Sequence, residues 1–127
     1  MHPEPLTLAA LEAAIRSAWD LQTSDTPQRY DPANPERDQC GATALVVHDY
    51  LGGCLLESEV FLGDERTDYH YWNLLPSGLE IDLTRGQFRR GERIAAPAPM
   101  DRPTVVGEAA QARYDLLRTR VAAALGG

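Results

Sequence analysis

Two consecutive glycines, Gly52 and Gly53, stand where an apolar run of helical period stops and a run of strand-forming residues begins. Glycine ends helices because it adopts the left-handed conformation without steric cost. The spacing predicts a helix over about residues 38 to 51, with Ala44, Val47 and Leu51 on its buried face and Cys40 in its first turn. Beyond the glycines, residues 55 to 62 read as a strand and residues 63 to 68 as a turn. Residues 69 to 75 and 79 to 84 read as the arms of a hairpin around Pro76, Ser77 and Gly78. Helices packed on a small antiparallel sheet make the expected class α+β.

Upstream, Leu8, Leu11, Ile15, Ala18 and Trp19 recur at three- and four-residue steps behind the capping residue Thr7, which predicts an amphipathic helix. Residues 23 to 38 hold three prolines and no apolar period, so they form a long loop of the kind that often carries function in compact domains. Residues 89 to 100 allow one short edge strand, interrupted by Pro97 and Pro99. A last helix, over about residues 104 to 125, buries Ala110, Tyr114, Leu117, Val121 and Leu125 and is ended by Gly126 and Gly127. A chain of 127 residues supports one hydrophobic core, so residues 1 to 127 are expected to be a single domain with a tail over residues 1 to 6.

Charge narrows the partners. Nineteen acidic residues against twelve basic ones give a net charge of -7, the wrong sign for neutralising phosphates along a nucleic acid. All twelve basic residues are Arg, which removes lysine nucleophiles and Schiff bases. No segment approaches the roughly 20 apolar residues of a membrane span. The start of the chain lacks a basic segment followed by an apolar one, so a cytoplasmic location is expected. Cys40 and Cys54 lie at opposite ends of a helix about 17 Å long, too far apart for a disulfide, and are expected to be free thiols.

A cysteine in the first turn of a helix meets unpaired N–H groups and the positive end of the dipole, and both favour its thiolate. A nucleophile also needs a base, and there are three histidines. His2 lies in the N-terminal tail, and His48 is about 12 Å further along the same helix. That leaves His70 on the hairpin. Asp82 on the partner arm is the group expected to orient it, provided the loop has an odd number of residues; His70, Trp72, Glu80 and Asp82 then share one face. Hydrophobicity alone does not choose between the odd and even registers.

The Cys40 N–H and the amide of Asn34 or Gln39 are the candidates for stabilising an oxyanion, and Trp72 for a pocket wall. The expected chemistry is hydrolysis or transfer at an amide or thioester of a small molecule or peptide through an acyl-Cys40 intermediate, with no cofactor. The alternative is a non-catalytic module that binds a small ligand or a protein, with Cys40 buried as a small hydrophobe. A zinc site from Cys40, Cys54, His70 and Asp82 lacks a close-spaced ligand pair. Arg85, Arg89, Arg90 and Arg93 read as a solvated edge, or else as contacts to a carboxylate or phosphate.

The run from Asn34 through Cys40 to Gly53, the run from His70 to Arg85, and Gln87-Phe88 together resemble the YunG-like family of small bacterial proteins, as do Trp19 and Thr23-Ser24 upstream. The resemblance covers about residues 19 to 88. More distantly, a helix-start cysteine followed by His70-x-Trp72 and Asp82-x-Thr84 is similar to papain-like and transglutaminase-like cysteine enzymes. That similarity implies a core of their kind, with Cys40 as nucleophile, His70 as base and Asp82 as orienting acid.

Overall fold

The computed structural model describes residues 5 to 104 and 106 to 126. The expected places of His2 in a tail and of Gly127 beyond the last helix lie outside the described residues. Helix α1 spans Leu8–Ala18, and the Thr7 hydroxyl accepts the Ala10 N–H at 3.0 Å, which satisfies one of the donors that a helix start leaves unpaired. The loop that follows is built from turns and one 3-10 turn, Pro27–Arg29. Helix α2, Cys40–Leu51, starts two residues later than its sequence pattern suggests, because Asp38 turns the chain with φ 62°. That left-handed conformation is uncommon outside glycine, and aspartate is among the residues that tolerate it.

Helix α2 ends at Gly52, whose φ is 71° and whose N–H reaches the His48 carbonyl at 2.9 Å. Gly53 has a second reason to be glycine: an added Cβ would lie 2.1 Å from the Leu74 carbonyl oxygen.

Strands β1 (Cys54–Leu62) and β2 (Glu65–Leu74) form an antiparallel hairpin closed by Gly63 and Asp64, with a register shift between Val60 and Phe61. The turn expected over residues 63 to 68 is therefore shorter, since residues 65 to 68 continue the strand into solvent. Strand β3 is only Glu80–Ile81 and pairs Asn73 with Ile81 and Leu74 with Glu80, the register of the three-residue loop over residues 76 to 78. In place of one edge strand there are two, β4 (Glu92–Ile94) and β5 (Ala98–Met100), which share the other edge of β1. Pro99, paired with Leu56, is tolerated because β5 is an edge.

Helix α3, Glu108–Ala124, joins α1 and α2 over the core of Leu11, Ile15, Val46, Val47, Leu117 and Val121, all fully buried. Asn73 projects from the sheet toward the helices and donates to the Ala44 carbonyl at 2.9 Å. Residues alternate along β2, so Tyr71 and Asn73 face α2 while His70 and Trp72 face the opposite side of the sheet. The segment before α3 is latched by Arg102, which donates to Asp49, to His48 Nδ1 and to the Tyr114 hydroxyl, 2.9 Å away. Among the described residues, no helix is long and apolar enough to cross a membrane.

Candidate functional site

Two arrangements flank β2, one on each side of the sheet. The first is centred on His70, which is completely buried. Its Nε2 lies 2.6 Å from Asp82 Oδ2, and Arg85 Nε donates to the same oxygen at 2.6 Å. Burial works to raise the Asp82 carboxyl, but hydrogen bonds and charge from His70 and Arg85 outweigh it and hold the group below its ordinary value. An ionised Asp82 accepts a hydrogen bond from Nε2–H, which leaves Nδ1 as an acceptor.

Gln87 fills that acceptor. Its Oε1 accepts the Asp38 N–H at 3.0 Å, which turns Nε2 toward His70 Nδ1 and the Thr84 hydroxyl, each at 3.2 Å. The Gln87 amide thus fixes the imidazole tautomer from one side as Asp82 does from the other. Trp72 stacks on the ring with centroids 5.1 Å apart and donates Nε1–H to Glu80 at 2.8 Å, while Phe88 meets the ring edge-on at 4.8 Å.

The second arrangement lies on the α2 side. Cys40 opens the helix, with 5% of its surface exposed, and the Tyr71 backbone N–H is its hydrogen-bond donor. Burial, reinforced by the negative charge of Asp25, pushes the thiol up to about 12 despite that N–H. This reverses the shift expected from the helix dipole alone, because desolvation of a thiolate outweighs a partial dipole charge. Among the described residues no hydrogen bond joins Cys40 to His70, whose two ring nitrogens are held by Asp82 and Gln87.

Beside Cys40 a cavity of about 290 Å³ opens between α2, the sheet and α3. Gly41, Ala42, Leu45, Leu55 and Tyr71 form its base, and Met100, Pro103, Val106 and Ala110 its outer wall. At its rim Arg113 Nε pairs with Asp25 Oδ1 at 3.2 Å. Burial, followed by the pull of Glu57 across the strand pair, raises the Tyr71 phenol to about 12, so it stays protonated and able to donate.

The two amides expected near an oxyanion are engaged elsewhere. Gln39, fully buried, accepts from the Thr23 hydroxyl at 2.7 Å and donates to the Asp20 carbonyl at 3.0 Å. Asn34 donates to the Gln87 carbonyl at 3.0 Å. His48 is bound to the Gly53 carbonyl at 3.1 Å and to Arg102. Both cysteines are free, and among the described residues no group of three His, Cys, Asp or Glu side chains is placed to hold a metal ion. Sequence reasoning gave Gln87 no role. Its only signal there is its place, next to Phe88, among the residues that carry the family resemblance.

The profile of one family, described as YunG protein, matches residues 7–126. The chain is 31% identical over 75 residues to "Uncharacterized protein YunG" of Bacillus subtilis (strain 168), a match spanning 59% of this chain and 57% of that protein. No solved structure matches the chain.

Proposed function

This chain belongs to the YunG protein family, and we propose that it acts as a binding module for a small, largely apolar molecule seated in the groove beside Cys40. The observation that carries this reading is the groove itself, about 290 Å³ of mainly apolar space with a single ion pair and the Tyr71 phenol as its polar features. Ligand sites commonly have this makeup of apolar walls and a few directed polar groups, and the volume suits a molecule at the small end of their range. Cys40 then serves as a buried thiol that packs the helix start against β2.

The test is a thermal-shift screen of small apolar acids, amines and alcohols on the protein and on Ala110→Phe, which fills the groove from its α3 wall. A ligand at 100 times its Kd stabilises the native state by about 2.7 kcal/mol, a readily measured shift. The shift should vanish in Ala110→Phe. Hits that survive the substitution, or a screen with no hits, would discard the groove as the site.

A second reading is supported by the His70 to Asp82 contact and by the order Cys, His, Asp that papain-like and transglutaminase-like enzymes share. In it the Cys40 proton passes to His70 Nδ1, and the sulfur attacks the carbonyl of an amide or thioester. The amine or thiol leaves with the proton returned by His70, and water or another nucleophile, giving its proton to His70, then displaces the Cys40 sulfur to release the acyl group. This requires Gln87 to withdraw from Nδ1 and the start of α2 to move relative to β2, since Cys40 and His70 lie on opposite sides of the sheet. Alkylation separates the readings: a thiol near 12 reacts slowly at neutral pH, whereas fast neutral-pH alkylation of Cys40 that is lost in His70→Ala would favour the enzyme.

A further inference from the structure

Four of the twelve arginines of this acidic chain line one cleft of about 330 Å³, far from the groove in chemical character. Arg29 and Arg37 come from the long loop, Arg89 and Arg90 from the turn before β4. Their carboxylate within the lining is Glu92. Glu92 Oε1 accepts from Arg37 Nη1 at 2.6 Å and from the Arg89 backbone N–H at 2.7 Å, which fixes the cleft wall, and its charge is shared between Arg37 and Arg89. Arg29 is held loosely, 3.4 Å from Asp38 and 3.3 Å from the Thr26 hydroxyl. Asp68 acts on Arg37 from outside the lining.

Among the described residues, the guanidinium groups of Arg89 and Arg90 have neither a hydrogen bond nor an ion pair. Both side chains are exposed, and the chain turns directly after them at Gly91, φ 89°. Two adjacent exposed cations with no hydrogen-bonded partner, beside a third that is rigidly held, form an arrangement that a multivalent anion relieves. The Thr67 hydroxyl and Leu62, which is 53% exposed, complete the lining.

We propose that this cleft binds a small phosphomonoester, with the phosphate on Arg89, Arg90 and Arg37 and the organic group against Leu62. Guanidinium forks match the tetrahedral phosphate oxygens in geometry and charge. The net charge of -7 over the whole chain, these four arginines included, disfavours a long polyanion, which would extend past the cleft into a repulsive field.

The test is an NMR titration of the whole protein with phenyl phosphate at pH 8, where the probe is a dianion, alongside benzoate and inorganic phosphate. Saturable binding is expected, with shifts at Arg89, Arg90 and Thr67, tighter than for inorganic phosphate because Leu62 takes the ring. The exposed double substitution Arg89→Gln/Arg90→Gln should leave the urea midpoint unchanged and weaken phenyl phosphate at least tenfold. Ala110→Phe should leave that affinity intact, which separates this site from the groove. Absence of saturation, equal affinity in the double variant, or benzoate binding as tightly as phenyl phosphate would overturn the proposal.

Discussion

Replacing Gln87 with leucine tests whether one amide ties the loop, the start of α2 and the sheet together. Leucine is of similar size, so the substitution removes hydrogen bonds with little cavity to confuse the result. Two buried groups lose their partner: the Asp38 N–H and His70 Nδ1, while the Thr84 hydroxyl also loses a donor. An unpaired buried polar group costs about 1–3 kcal/mol, so the expected loss is about 3–4 kcal/mol, a large share of the 5–15 kcal/mol typical of a domain. At about 4 °C per kcal/mol for a chain of this size, Tm should fall by roughly 12–16 °C. Urea titration should show the same loss with an unchanged slope, since the folded area is unchanged. In a His70→Leu background the cost of Gln87→Leu should shrink by about 1–2 kcal/mol, because one of the orphaned groups is already gone. A loss below about 1 kcal/mol, or full additivity of the two changes, would show that water or loop relaxation satisfies these groups and that Gln87 is not the tie.

Asp82 is held below its ordinary value, so its contribution should be complete above the unfolded carboxylate value of about 3.9 and should fade as pH falls through the lower folded value. Urea midpoints measured from pH 7 to pH 2 should therefore drop less steeply in acid for Asp82→Asn than for the parent. Gly53→Ala should destabilise by several kcal/mol, on the order of an overpacked core site, because the new methyl meets the rigid Leu74 carbonyl at φ 81°; circular dichroism melting reads it, and a neutral result would contradict the close approach. Arg102→Met should speed amide exchange over residues 101 to 107 and cost about 1 kcal/mol or somewhat more, since the pair with Asp49 is only partly buried and the Tyr114 hydroxyl keeps Asp49 as a partner. Unchanged exchange there would show that the segment is held by packing alone.

What the sequence disclosed follows from short-range physics. Thr7 capping α1, Gly52 ending α2, and the three-residue loop that sets His70 diagonal to Asp82 all depend on neighbours a few residues away. The first four residues of β2 escape a sequence reading because residues 65 to 68 are exposed and polar, leaving no alternation to read. Residues 89 to 100 read as one short edge strand, and their division into β4 and β5, each three residues long and the second holding Pro99, is made by their shared partner β1. For the thiol of Cys40, helix position is visible in a sequence and the burial that raises it is not. Gln87 joins Asp38 to His70 across 49 and 17 residues, a separation that no local pattern records.

The way the sheet ends has a consequence for how copies of this chain meet. Strand-on-strand aggregation needs a straight row of unpaired backbone donors and acceptors at least several residues long. One margin of the sheet is made of two three-residue strands, with Pro97 and Pro99 removing N–H groups from its outer row. The opposite margin is open beyond Ile81, along the outer half of β2, but there it carries Glu65, Arg66 and Asp68 and twists at the register shift facing Val60 and Phe61. Charged and irregular margins make poor templates for amyloid-like growth. Concentrated native protein should resist that route, and fibrils, where they form, should grow from chains that have already unfolded.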